Sequence, residues 1–100
     1  MRKIRVLIKR PRENPYVTYV SDKLECYQKI VGGYIEVVPL YGSVVVVCNE
    51  EGLLNSLPCP CYFDQAFWFG TIFFVCVDGD EFADCPSLQY MKSLLPTLWN

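Results

Sequence analysis

Six cysteines and eleven carboxylates hold most of the reactive chemistry in this chain, and no histidine stands beside them. Histidine is the commonest general acid–base and the usual partner of a nucleophilic serine or cysteine. Without it, a zinc site needs four thiolates or help from carboxylates. The cysteines are Cys26, Cys48, Cys59, Cys61, Cys76 and Cys85. Only one residue separates Cys59 from Cys61, whereas structural zinc sites space paired thiols by about two to four residues. Asp78, Asp80, Glu81 and Asp84 offer oxygen ligands, but an EF-hand places glycine at loop position six, and Gly79 directly follows Asp78. Gly32-Gly33 comes after a predicted helix, whereas phosphate-cradling glycines come before one. The expectation is a protein without catalytic residues, metal or cofactor, one that binds instead of catalysing.

The charges are unevenly distributed. Net charge is −2, yet residues 1–12 hold six of the nine basic residues and no acid. Residues 13–100 carry three bases against eleven acids, a balance of −8, and no base occurs between Lys29 and Lys92. Such asymmetry is read first as ordinary surface charge, the basic start pairing against acids in the fold, and second as the mark of an interaction surface. One hundred residues, 52% of them apolar, predict a single domain over 1–100 with apolar surface left for a partner or a second copy. No run approaches the roughly 20 apolar residues of a membrane span. The N-terminus interleaves charges with apolar residues and lacks a signal peptide's unbroken apolar stretch. A cytoplasmic location is expected, with reduced cysteines; Cys26, Cys48 and Cys76, inside apolar segments, serve as small hydrophobes.

The elements that would position these groups follow from periodicity. Ile4, Val6 and Ile8 alternate with Lys3, Arg5 and Lys9, which predicts a half-buried strand with Leu7 as the exception. After turn signals at Pro11 and Asn14-Pro15, Tyr16 to Val20 is predicted to pair back. Asp22 and Glu25 have capping-box spacing, so a helix is expected over Asp22 to Val31, ended by Gly32-Gly33. Tyr34 to Leu40 and Val44 to Cys48 form the clearest hairpin, Pro39 belonging at an edge or end and the valine run being covered on both faces. Asn49 to Gly52 is a turn. Leu53 to Leu57 is ambiguous, and Pro58-Cys59-Pro60-Cys61 is expected to be irregular. Gly70 to Val77 is a fifth strand, followed by an acidic loop to Cys85-Pro86. Ser87 caps a last helix whose Leu88, Met91, Leu94 and Leu95 share a face, and Pro96 stops it. The predicted fold is α+β: a single, mostly antiparallel sheet of about five strands with two helices packed on it.

The run from Gln28 to Leu40, centred on Val31-Gly32-Gly33-Tyr34-Ile35-Glu36, resembles a small domain-of-unknown-function family. Val46 to Gly52 and Gly70-Thr71-Ile72-Phe73-Phe74-Val75 extend the resemblance over most of residues 4–84. The family's members are encoded by phages, plasmids and conjugative elements of Firmicutes and other gut bacteria. The resemblance brings no catalytic residues; it implies a mobile-element setting, where small proteins often neutralise CRISPR or restriction systems. Between Leu57 and Phe69 the chain departs from the pattern with Cys59-Pro60-Cys61-Tyr62-Phe63 and Phe67-Trp68-Phe69.

Two groups of residues are candidates for contacting a partner. Aromatic side chains are enriched at interface hot spots, which singles out Tyr62, Phe63, Phe67 and Trp68 beside Asp64, with a core beneath a long loop as the equal alternative for this segment. Tyr34 and Glu36 share one face of their strand, a polar contact surface if the opposite Ile35 face is core; Glu50 and Glu51 lie in a turn, and Asp78, Asp80, Glu81 and Asp84 crowd an acidic loop. A cation-free surface of this kind suits the basic groove of a host nucleic-acid-binding effector, which the protein would inhibit by occlusion. The alternative is a nucleic-acid-binding accessory module using Arg2, Lys3, Arg5, Lys9, Arg10 and Arg12, which the acidic overall balance disfavours. A self-assembling accessory protein is the third reading.

Overall fold

The computed structural model describes residues 2–52 and 61–99. Among these described residues, eight strands and two helices follow in the order β1 (Lys3–Lys9), β2 (Tyr16–Ser21), α1 (Leu24–Val31), β3 (Ile35–Tyr41), β4 (Val44–Asn49), β5 (Cys61–Phe63), β6 (Ala66–Trp68), β7 (Ile72–Asp78), β8 (Glu81–Ala83) and α2 (Leu88–Leu94), with a final 3-10 turn at Pro96–Leu98. The fold is α+β. The main sheet runs β2-β1-β7-β4-β3, every ladder antiparallel, with β8 added beside β7; β5 and β6 form a separate hairpin.

Both sheet faces are covered, which explains the residues that break simple alternation. One face presents Leu7, Val46 and Phe74 to α2, the 3-10 turn and the β5–β6 hairpin, where Met91, Leu95, Leu98, Phe63 and Trp68 close the core. The other presents Val6, Val47, Phe73 and Val75 to Tyr27 and Val31 of α1. Leu7, out of phase with its neighbours, is therefore a core residue of the second layer. All six residues of β4 are buried, as its unbroken apolar run implied.

Three local expectations need correction. Asp22 does not cap α1. Its N–H donates to Arg2 O at 3.0 Å, extending the β1–β2 ladder, and its carboxylate accepts from the Tyr27 hydroxyl. The helix begins one residue past Lys23, which has no side-chain cap bond. The acidic stretch after Val77 is a hairpin and not a loop: Asp78 pairs with Glu81 across a turn at Gly79, whose φ is +63°. The burial that fixes β8 comes from Phe82, whose ring meets Tyr27 edge-on at 5.0 Å. Cys61, expected to be irregular, opens β5. The expectations for Leu53 to Leu57 and for Pro58, Cys59 and Pro60 lie outside the described residues. The remaining boundaries agree to within two residues. Pro39 sits in edge strand β3 beside a register shift, and Ser87 Oγ accepts from Tyr90 N at 3.1 Å at the start of α2.

Candidate functional site

The two sequence motifs around Gly33 and Asn49 meet in space. Gly32, at φ +81°, ends α1 in the left-handed conformation, with its N–H on Gln28 O at 2.8 Å. Gly33 then passes so close to Asn49 that a Cβ on it would lie 2.7 Å from Asn49 Nδ2. Asn49 is only 7% exposed and uses both ends of its amide. Nδ2 donates to Val31 O at 3.2 Å and Oδ1 accepts from Glu51 N at 2.8 Å. A buried polar side chain satisfied on both sides is a rigid joint. It ties the end of α1 to the turn that carries Glu50 and Glu51, and Glu50 N donates to Tyr34 O at 3.0 Å. The glycine and asparagine motifs thus have a structural role, and what they hold outward is Tyr34, Glu50 and Glu51, all exposed.

Beside this joint stands the β5–β6 hairpin. Asp64 and Gln65 turn it with φ of 51° and 61°, the paired positive angles of a type I′ turn. Alternation along these short strands divides the aromatics between two faces. Phe63 and Trp68 are 3% and 8% exposed; their rings stack at 5.0 Å, and Trp68 Nε1 donates to Phe63 O at 3.1 Å. Phe63 also meets Phe74 at 5.6 Å. These two residues, expected at a contact surface, belong to the core and drop out of the partner-facing set. Tyr62 and Phe67 are paired on the opposite face, 57% and 62% exposed, with ring centroids 4.9 Å apart.

Between the joint and the hairpin lies a cleft of about 270 Å³, whose described lining includes Glu36, Cys48, Glu50, Phe67 and Phe69 and no cation. Cys48 Sγ donates to Glu36 O at 3.7 Å, and burial together with the Glu36 carboxylate pushes the thiol up to about 11. A thiol in that state is a poor nucleophile at neutral pH. Burial likewise raises the Cys61 and Cys85 thiols. Among the described residues no three Cys, Asp or Glu side chains are grouped closely enough to hold a metal ion. The cleft therefore brings together Glu36, Glu50 and Phe67, with Tyr62 and Asp64 on the adjoining hairpin.

Asp78, Asp80, Glu81 and Asp84 do not join them. Their hairpin leaves β7 beyond the Cys76–Val44 pair, whereas the cleft forms at the Cys48–Asn49 end of β4. Two of the four are engaged within the fold. Glu81 Oε1 lies 3.4 Å from Arg2 Nη1, and Asp84 Oδ1 accepts from Arg5 N at 2.7 Å. The idea of a polar face on β3 is also corrected. Val38 and Leu40 share the face of Glu36 and pack on the core, while Ile35 packs on the α1 side, because the sheet is covered on both sides.

The basic N-terminal strand is partly committed as well. Arg2 reaches Asp22 at 3.5 Å and donates to Phe82 O at 2.9 Å, and the Arg5 guanidinium donates to Cys85 O. Arg10 lies over the ring of Tyr16 at 5.9 Å. No helix among the described residues is long and apolar enough to cross a membrane.

A family model described as a domain of unknown function, DUF3846, matches residues 4–95, from the first core residue of β1 to the last of the α2 segment. The chain belongs to the DUF3846 family. No curated protein and no solved structure matches it. The matched DUF3846 span includes the Gly33–Asn49 joint, the β5–β6 hairpin and every strand of the main sheet.

Proposed function

We propose that this DUF3846 protein is a non-catalytic binding protein that occludes a basic, nucleic-acid-binding surface on another protein. The observation that carries the reading is the exposed Tyr62–Phe67 ring pair standing beside a cleft that presents Glu36 and Glu50 with no described cation. Aromatic rings at the centre of a patch supply most of the binding energy of protein interfaces. Carboxylates around them speed encounter with a cationic partner and reject anionic ones. The turn that presents Glu50 and Glu51 is held by Asn49, so little order need be gained on docking. The mobile-element setting implied by the sequence resemblance extends the reading to a host defence effector, of the CRISPR or restriction type.

The test is affinity capture from the natural host with the wild-type chain and with a Phe67→Ala, Glu50→Arg double variant, read by mass spectrometry. A nucleic-acid-binding protein should be retained by the wild type alone, and added wild-type chain should displace its nucleic acid. Retention by both chains, or tight binding of DNA or RNA by the chain itself, would overturn the reading.

A further inference from the structure

The two edges of the main sheet are built differently. β3 carries the usual protections of an exposed edge: a proline at Pro39, a register shift between Pro39 and Tyr41, and a charge at Glu36. β2 has none of them. Tyr16-Val17-Thr18-Tyr19-Val20-Ser21 contains no charge and no proline, among the described residues it ladders with β1 alone, and its register with β1 runs one-for-one from Ser21 to Tyr16. Unprotected edges of this kind are templates for another strand.

The phase of the ladder fixes which groups face outward. Asp22 N donates to Arg2 O, so even-numbered residues of β2 bond to β1. In an antiparallel ladder this alternates, which leaves the N–H and C=O groups of Val17 and Tyr19 and the N–H of Ser21 on the open side, the Ser21 carbonyl accepting from Lys23 N at 2.8 Å. Arg5 shows the same phase on β1, its carbonyl accepting from Cys85 N on the side away from β2.

We infer that the outer edge of β2 is a strand-addition site for an extended, acidic-ended segment of a partner protein. Charge selects the occupant. Residues 2–25 hold seven cations and three acids, and both described ion pairs belong to Arg2. Lys9, Arg10 and Arg12 stand with Glu13 at the Tyr16 end of β2, while Arg2, Lys3 and Lys23 stand with Asp22 and Glu25 at its Ser21 end, so cations outnumber acids at both. An antiparallel second copy would bring these like-charged ends together, whereas a segment with acids at both ends meets cations at both. Nucleic acid lacks the backbone that would complete the open ladder. This site lies on β2, at the far edge of the sheet from the β3 side of the cleft, and does not depend on the function proposed there.

The probe is a fluorescein-labelled peptide of alternating valine and threonine with two glutamates at each end, followed by anisotropy and by amide NMR shifts of the protein. Binding should shift the Val17, Tyr19 and Ser21 amides more than those of Thr18 and Val20, and should weaken as salt is raised. Methylating the bonding amides of the peptide should weaken it at least about tenfold, and so should Tyr19→Pro, which removes an outward N–H and takes no backbone bond from the ladder with β1. The methylated peptide leaves the protein untouched, so the test stands even if Tyr19→Pro fails to fold. Equal binding of the methylated peptide or of a lysine-ended version, no binding at all, or a dimer abolished by Tyr19→Pro would overturn the inference.

Discussion

Gly33 lies against Asn49 so closely that a methyl group on it would come within 2.7 Å of Asn49 Nδ2. The contact joins the end of α1 to the end of β4, eighteen residues later in the sequence, and it positions the turn bearing Glu50 and Glu51. The best-marked motifs of the chain thus act on packing, and the surface they support carries the candidate chemistry.

Gly33→Ala should destabilise the protein by about 1–3 kcal/mol, because the methyl group must displace a buried, doubly bonded amide. Gly32→Ala should cost about 1–2 kcal/mol for a different reason, its φ of +81° with open space around it. Urea denaturation measures both. The double variant tells the mechanisms apart, since Asn49→Ala should relieve the Gly33→Ala penalty and leave that of Gly32→Ala unchanged.

Asn49→Ala alone leaves Val31 O and Glu51 N without their side-chain partner. A loss of about 1–3 kcal/mol is expected. Amide hydrogen exchange should rise first at Glu51 and Gly52, which marks release of the turn before general unfolding.

Phe63→Ala and Phe67→Ala should behave oppositely although the residues lie on adjacent strands. The first empties a core position stacked on Trp68 and should cost about 3–5 kcal/mol of stability. The second removes an exposed ring and should change stability by no more than about 0.5 kcal/mol, while weakening capture of the partner about tenfold or more. Thermal melts alongside pull-down yields check the pair.

Stability should fall in alkali partly through Cys48. Its thiol is raised from 9.0 to about 11 by burial and by Glu36. Below pH 9 folded and unfolded chains both keep the proton. Between pH 9 and 11 the unfolded chain releases it first, so its contribution to stability is lost as pH rises through that window. Urea midpoints at pH 8, 9 and 10 should decline less steeply in Cys48→Ala than in the wild type.

Much of the sheet was legible because its signals are local. The alternation of Lys3 to Lys9, the valine run of β4 and the Gly32-Gly33 stop each follow from periodicity or from one residue's backbone freedom. The errors share one cause: a nonlocal partner outweighed the local signal. Asp22 has the spacing of a helix cap, yet Arg2, twenty residues earlier, draws it into the β-ladder. The acids around Phe82 read as solvated loop, yet that ring packs on Tyr27 and makes a strand. In the aromatic segment the sequence shows the composition of the candidate site but not its division. The tight turn at Asp64-Gln65 sets which ring of each pair faces the core, and neither residue is a glycine that would announce such a turn.

β7 lies at the centre of the sheet but follows both of the hairpins it joins in the sequence. The hairpins β1–β2 and β3–β4 therefore emerge from the ribosome as two separate ribbons with nothing between them, each with apolar side chains uncovered. They fuse only when Ile72 to Asp78 arrives to zip both at once. Between the completion of β4 and the arrival of β7 the chain holds two sticky halves, the interval in which a chaperone has most to offer it.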